Sequence, residues 1–299
     1  MKTKLTTTTF IFLLSVSLVL GQDYAFKVLG NKGDNSVKSG GNWVALKTGS
    51  VIKSGESVKV GADSYLGLLH SSGRTLELKD AGEYQVADLE KKISASGASV
   101  ASKYADFVLS KMTSSGGQGN AMAVTGAVER ATDDASIKVN LPSSVELFNP
   151  EAVITWTSVA GNHPYDVVLK NMFDEVIMET TTNEPSIKLD FNDPKLKDQR
   201  LVIFSVKLKD DNSVASGEYG IKKLTNEEAA TIKSSYDSLK SEIGDESALS
   251  KIIMASFFEE NNLIIDAATN YQDAIKMSPD VDDFKNAYKQ FLTRNGLGK

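Results

Sequence analysis

Between residues 24 and 86, short apolar runs are separated by glycine, asparagine or aspartate. Alternation of apolar and polar side chains predicts half-buried β-strands, and the Gly and Asx clusters predict turns. The alternation is plain at Ser57–Val60 and at Thr75–Leu78, and residues 70–74 between two runs predict a hairpin tip. We therefore expect a small β domain here, carried by the runs FKVLG, WVALKTG, SVIKSGESVKVG, YLGLLHSSG and RTLELKDAGEYQV.

Residues 86–112 change to apolar positions three and four apart, which is the spacing of one helix face. The positions on that face are Leu89, Ile93, Val100, Tyr104, Phe107, Val108 and Met112. We expect a helix that packs against the preceding β domain. Residues 113–120 are all glycine or polar, so we expect a flexible linker that extends over 113–136.

Residues 137–224 return to strand-like runs, about seven of them, separated by turn residues. This pattern predicts an antiparallel β-sandwich, and it resembles fibronectin- and immunoglobulin-like modules in pattern. Trp156 lies inside one run beside Ile154 and Thr155, so we expect a core residue rather than a platform for sugar stacking. His163 precedes Pro164 between two runs, where we expect a turn residue rather than a ligand.

The last 75 residues have a helical pattern and are acidic, with 8 basic against 13 acidic residues. Thr225 and Glu228 have the spacing of a capping box, which predicts a helix from there to about Ile243. A later helix is expected over about 280–294, because three aromatic residues share one face there: Phe284, Tyr288 and Phe291.

Between these two helices, small and aromatic residues recur in the order Ala255, Phe258, Ala267, Tyr271, Ala274 and Pro279. This ladder resembles one tetratricopeptide repeat, a pair of antiparallel helices of about 34 residues. The resemblance implies a turn at Asn261 and Asn262 and a second helix that ends at Pro279. One repeat alone is below the three that such folds usually need, so the neighbouring helices are expected to complete it.

The first β domain also carries a family resemblance. It is similar to the FecR-like domain of bacterial envelope proteins over about 60 residues, at Trp43, Leu46, Gly49, Ile52, Gly55, Glu56, Val58, Gly61, Ser64, Gly67, Leu68, Gly73, Leu76 and Leu78. In sensor members of that family the module lies outside the membrane and relays a signal through a transmembrane helix. We expect no such helix beyond the N-terminal segment, so the relay role is not carried over.

The N-terminus has the pattern of a secretory signal peptide. Lys2 and Lys4 precede an apolar core over 10–20, and Gly21 and Gln22 follow. A retained anchor is the alternative, but eleven helical residues span about 16 Å against a hydrocarbon core of about 30 Å. No cysteine follows, which excludes a lipoprotein anchor. We expect cleavage near residue 21 and a soluble periplasmic or extracellular protein with no membrane span.

Charge and composition narrow the chemistry. The chain of 299 residues has a formal net charge of −6, and it becomes −8 without Lys2 and Lys4, which disfavours nucleic acid as a partner. There is no cysteine and there are two histidines, so thiol chemistry is excluded and we expect no metal or cofactor. No phosphate loop, nucleophile elbow or zinc motif occurs, and the acidic cluster Asp280, Asp282 and Asp283 lacks the calcium-loop pattern. We therefore expect no enzyme.

The fold class predicted is multidomain and mainly β with an α tail. The expected parts are a signal peptide (1–21), a FecR-like β domain plus helix (22–112), a linker (113–136), an immunoglobulin- or fibronectin-like sandwich (137–224) and a tetratricopeptide-like helical domain (225–299).

For function we expect an exported, non-catalytic envelope protein that mediates protein contacts or acts as a scaffold. Glycan or peptidoglycan binding by an exposed aromatic residue is the alternative, and a hydrolase without a readable motif is the third. The solvent exposure of three aromatic residues distinguishes protein contacts from glycan binding, because a side chain that stacks on a sugar must be exposed. These residues are Trp43, Trp156 and Tyr165.

The resemblance to tetratricopeptide repeats places the partner-binding face on the first helix of the pair, at Leu249, Ile252, Ser256 and Glu259. Because that face is apolar with one acid, we expect an apolar or basic segment of an envelope protein as the partner. Docking of the face on the chain's own β-sandwich is the open alternative.

Overall fold

The computed structural model describes residues 24–93, 100–113 and 137–298. The predicted signal peptide and, apart from Thr113, the predicted linker lie outside the described residues. The fold is mainly β with a helical C-terminal part, which confirms the predicted class. Among the described residues no helix is both long and apolar enough to cross a membrane.

The first module consists of eight short strands: β1 (Phe26–Lys32), β2 (Asn35–Ser39), β3 (Asn42–Ala45), β4 (Val51–Ile52), β5 (Ser57–Val60), β6 (Tyr65–His70), β7 (Thr75–Leu78) and β8 (Gly82–Gln85). They form two antiparallel four-stranded sheets, in the orders β4-β1-β6-β7 and β3-β2-β5-β8. Phe26, Ile52 and Leu66 are wholly buried between them. The hairpin tip predicted over 70–74 joins β6 to β7, as expected.

The second module has seven strands: β9 (Ser144–Leu147), β10 (Glu151–Thr155), β11 (Tyr165–Lys170), β12 (Val176–Thr182), β13 (Ser186–Asp190), β14 (Leu201–Leu208) and β15 (Tyr219–Lys223). Five form a sheet in the order β12-β11-β14-β15-β9, and β10 pairs with β13. All pairs are antiparallel except β15 with β9, which is parallel. Trp156 packs against Tyr165 and Phe204 at ring distances of 5.4 and 6.3 Å, which confirms that Trp156 is a core residue.

Six helices are described: α1 (Val86–Lys91), α2 (Val100–Thr113), α3 (Asn226–Ile243), α4 (Ala248–Glu260), α5 (Ile264–Met277) and α6 (Asp282–Arg294). The capping box of Thr225 and Glu228 is present at the start of α3, as the sequence predicts. Asn261 and Asn262 form the turn between α4 and α5, and Asn262 has φ of 59° there. The predicted helical pair and the later helix are confirmed.

The position of α2 differs from our expectation. Residues 100–113 pack most extensively against α4, and also against α3 and α6, rather than mainly on the first β module. Tyr104 of α2 meets Phe257 of α4 edge to face at 5.3 Å. The spacing of the apolar residues predicts that one face of α2 is buried. It does not predict whether a sheet or another helix covers that face.

The helices form a layer that contacts both β modules. From this layer, α5 packs on β10 and β9 of the second module, whereas α4 contacts β7 and α6 contacts β1 of the first. One continuous apolar cluster runs from Leu29 and Leu69 of the first module through the helices to the sandwich core. The two β modules are therefore joined by shared packing through the helical layer.

Candidate functional site

The predicted partner-binding face of α4 is filled by the chain itself. Leu249 and Ile252 are wholly buried. The backbone N–H of Leu249 donates to Glu77 Oε1 of β7 at 3.0 Å, and its side chain lies against Gly67 of β6. Leu249 therefore contributes to the junction between the helical layer and the first module, and Ile252 belongs to the same continuous apolar cluster.

The two polar residues of that face are also engaged. The Ser256 hydroxyl donates within α4 to the carbonyl of Ile253, at 2.7 Å, and lies 3.2 Å from the carbonyl of Tyr104 in α2. Glu259 accepts two hydrogen bonds from the Arg294 guanidinium, at 2.9 and 2.8 Å, and its side chain is 9% exposed. Because its side chain is almost wholly buried and its charge is paired, Glu259 is not accessible to a partner.

These four positions of α4 are therefore covered by other described parts of the chain. The partners named above lie in the first module, α2 and α6, and not in the sandwich, which was the open alternative. The tetratricopeptide resemblance missed this because α2, far away in sequence, occupies the surface.

A buried carboxylate joins the helical layer to the sandwich. Asp266 of α5 is wholly buried and accepts hydrogen bonds from the backbone N–H groups of Phe148 (2.9 Å) and Asn149 (2.8 Å) and from the Asn149 side chain (2.9 Å). Burial raises the pKa of this carboxyl to about 7, while the three N–H donors act in the opposite direction. Thr269, one turn later, accepts from Val153 N–H at 2.9 Å, so α5 is fixed to β10 by polar contacts as well as by packing.

Carboxylates also join the helical layer to the first module. Asp283 of α6, which belongs to the acidic cluster noted in the sequence, accepts from the backbone N–H of Asn31 at 2.9 Å. Gly30, next to it, lies so close to the Phe284 ring that a Cβ there would meet a ring carbon at 3.1 Å. The chain thus uses Asp283 for internal docking, and glycine at position 30 permits the close approach.

Of the three aromatic residues whose exposure distinguishes protein contacts from glycan binding, two are buried and one is exposed. Trp156 and Tyr165 are core residues, at 3% and 2% exposure. Trp43 is 40% exposed on β3, an edge strand whose four residues are all exposed. Its cross-strand partner is Lys38 of β2, with the ammonium 5.7 Å from the ring centroid.

The most exposed apolar side chains of the described residues lie at the tip of the β11–β12 hairpin. Met172 is 67% exposed, Phe173 74% and Val176, just beyond the turn, 58%. Contiguous apolar patches on protein surfaces often belong to interaction sites, whereas single exposed apolar residues are ordinary. We call Met172, Phe173 and Val176 the apolar tip.

The turn that carries the apolar tip is held rigidly. Asn171 is buried, and its Oδ1 accepts from the backbone N–H groups of Phe173 (2.9 Å) and Glu175 (3.1 Å), while its Nδ2 donates to the Glu175 carboxylate at 2.8 Å. Asp174 has φ of 66°, a left-handed conformation that Asp tolerates. Because the turn is already ordered, little conformational entropy is lost when a partner binds it.

Acidic side chains surround the apolar tip. Asp174 and Glu218 both pair with the ammonium of Lys170, at 2.7 and 2.9 Å, and both are largely exposed. Glu175 and, further along β12, Glu179 bring the number of carboxylates to four, compared with the one ammonium group of Lys170. The rim of the apolar tip is therefore negative.

Met172 and Phe173 end the strand-like run YDVVLKNMF, residues 165–173, but they do not belong to the strand. The strand ends at Lys170, because Asn171 and Asp174 form the turn. The signal that could have found the tip is the order Asn-Met-Phe-Asp: two turn-forming residues on either side of two large apolar ones place the apolar pair in a turn.

The described residues contain no group of three or more His, Asp or Glu side chains placed to hold a metal ion. Comparison with known proteins gives no family: no protein-family model matches the sequence, and no curated protein matches it.

Proposed function

We propose that this chain is an exported, non-catalytic protein of the bacterial envelope that acts as a protein-interaction scaffold. The observation that carries the proposal is the apolar tip: Met172 and Phe173 stand in solvent on a turn that Asn171 holds in place. Phe and Met are among the residues enriched in protein–protein interfaces, and such interfaces have an apolar centre and a polar rim.

The helical layer supports the same proposal. Asp266 fixes it to the sandwich, and Glu77 and Asp283 fix it to the first module, so surfaces on the two modules keep a constant separation. A scaffold needs that property. The FecR-like nature of the first module, the immunoglobulin- or fibronectin-like nature of the sandwich and the tetratricopeptide-like nature of the tail are part of the proposal, on the residue patterns given above.

The experiment for partner binding is site-specific photo-crosslinking in the producing cell. A photoreactive phenylalanine analogue at Phe173 should yield a discrete crosslinked protein. The same analogue at Lys195, an exposed loop position of the same module, is the matched control and should not. Equal products from both positions would contradict the proposal.

Export is tested separately. The periplasmic or extracellular fraction should contain a protein whose intact mass lacks residues 1–21. A full-length product that stays in the cytoplasm would refute this part of the proposal.

Glycan or peptidoglycan binding is the second candidate, and the exposure of Trp43 beside Lys38 favours it. An exposed indole offers a flat apolar face to a sugar ring. Soluble peptidoglycan fragments should then quench the fluorescence of Trp43, and Trp43→Phe should remove that response because Trp156 is buried. A titration without any change in fluorescence would dismiss this candidate.

A further inference from the structure

Two regions of this chain carry opposite charge. Residues 24–60 contain six lysines against one aspartate and one glutamate, a net charge of +4; of these lysines, Lys38 lies in the β2–β3 hairpin and Lys59 on the neighbouring strand β5. Residues 166–184, the β11–β12 hairpin, contain five acidic residues against Lys170, a net charge of −4. On the whole chain, with a net charge of −6, these local differences cancel and are not visible.

Each hairpin also ends its sheet. β3 is the terminal strand of one sheet in the first module, and β12 is the terminal strand of the five-stranded sheet in the second. A terminal strand leaves one row of backbone N–H and C=O groups without a ladder partner, which is a template for pairing with another strand. Both hairpins have large exposed apolar side chains, Trp43 and Val44 on β3 and the apolar tip beside β12.

From this complementarity we propose that the apolar tip of one copy docks against the β2–β3 hairpin of a second copy. The inference rests on the proposed interaction function of the tip, and it names the partner. Phe173 and Met172 would cover Trp43, which lies on the same face as Lys38, so that apolar area on both copies leaves water.

The charges around this contact are available. Among the described residues Lys38 and Lys59 have no carboxylate within ion-pair distance, and both lie on the outer face of the β2–β5 pair. On the other side of the contact, Asp174, Glu179 and Glu218 are exposed. Opposite charges at the rim steer the two copies together and fix their relative orientation.

The contact joins two different surfaces, so it is heterologous. After two copies bind, the pair keeps one free tip, on one copy, and one free β2–β3 hairpin, on the other. Such contacts produce a ring if the rotation closes and an open chain of copies if it does not.

The test is sedimentation velocity of the mature protein over a range of concentrations. We expect the average mass to rise with concentration and the association to weaken when salt is raised from about 50 mM to about 500 mM, because exposed charges are screened. Phe173→Ser should weaken association at least about tenfold. Lys195→Glu, at an exposed loop position, is the control and should have no effect.

Charge exchange gives the sharper result. The double variant Lys38→Glu and Lys59→Glu lowers the net charge of residues 24–60 from +4 to 0, and the double variant Glu179→Lys and Glu218→Lys removes most of the negative charge beside the apolar tip, so each should associate less when it is alone. Mixed together, they should form a dimer, because the unchanged tip of the first variant meets the unchanged β2–β3 hairpin of the second. Circular dichroism of each variant verifies that it is folded.

A protein that stays monomeric at every concentration overturns the inference, and so does association that Phe173→Ser or the charge changes leave untouched. If the protein is monomeric but crosslinking at Phe173 still captures another protein, the second-copy inference fails while the proposed interaction function stands.

Discussion

The buried carboxyl of Asp266 predicts how the free energy of unfolding changes with pH. The direction of that change shows whether burial or hydrogen bonding has the larger effect on the pKa of this group. Burial disfavours the charged form, and the N–H groups of Phe148 and Asn149 favour it. The folded-state pKa of about 7 lies above the value of 3.8 for an unperturbed aspartate, so the folded protein holds a proton that the unfolded chain releases.

The contribution of Asp266 to stability is therefore fully present below pH 3.8 and is lost as pH rises through 7. Between these values the free energy of unfolding should fall by about 1.4 kcal/mol per pH unit from this group, or about 4 kcal/mol in all. Asp266→Asn removes the titration. It also adds a constant cost of about 1–3 kcal/mol, because the new NH2 group faces a backbone donor.

The assay is urea unfolding of the wild type and Asp266→Asn at several pH values between 4 and 8, followed by the fluorescence of the buried Trp156. The difference in unfolding free energy should favour the wild type most at pH 4 and shrink as pH rises. Asp198→Asn, an exposed carboxyl of the sandwich, is the charge-matched control. A difference that stays constant or grows with pH would refute the reasoning, since it would mean that the N–H donors outweigh burial.

Three further outcomes follow from the packing. Ile252→Ala should lower the free energy of unfolding by about 2–5 kcal/mol, because the side chain is wholly buried, and Ile252→Glu should lower it by more. An unchanged urea midpoint would contradict internal docking of this face. Trp156→Ala should cost about 3–5 kcal/mol, whereas Trp43→Ala should stay within about 0.5 kcal/mol in the same assay, and equal losses would contradict their placement. Glu77→Ala leaves the Leu249 N–H without its acceptor and should cost about 1–3 kcal/mol with faster amide exchange at the start of α4; unchanged exchange there would count against the contact.

Local pattern predicted the elements of this fold well, and the reason is physical. The period of two in β5 and the capping box at Thr225 depend on residues that are neighbours in sequence, so a single chain displays them. The ladder of small and aromatic residues likewise located α4, α5 and their turn.

Long-range packing could not be predicted from the same patterns. The apolar faces of α2 and α4 each require a cover, but nothing local says that they cover each other. For the face that contains Ile252, the sequence left a partner and internal docking as open alternatives, because the position of α2 could not be predicted. The apolar tip was missed for the converse reason: Met172 and Phe173 continue an apolar run, and the turn that exposes them depends on Asn171.

The contact of α6 with β1 bears on the order in which the molecule is completed. Asn31 of β1 is held by Asp283 of α6, which lies 252 residues later, and Phe284 fills the space over Gly30. Loops of this length close slowly, and α6 is synthesised long after β1. However early its own eight strands are made, the first module reaches these surroundings only after α6 has been translated.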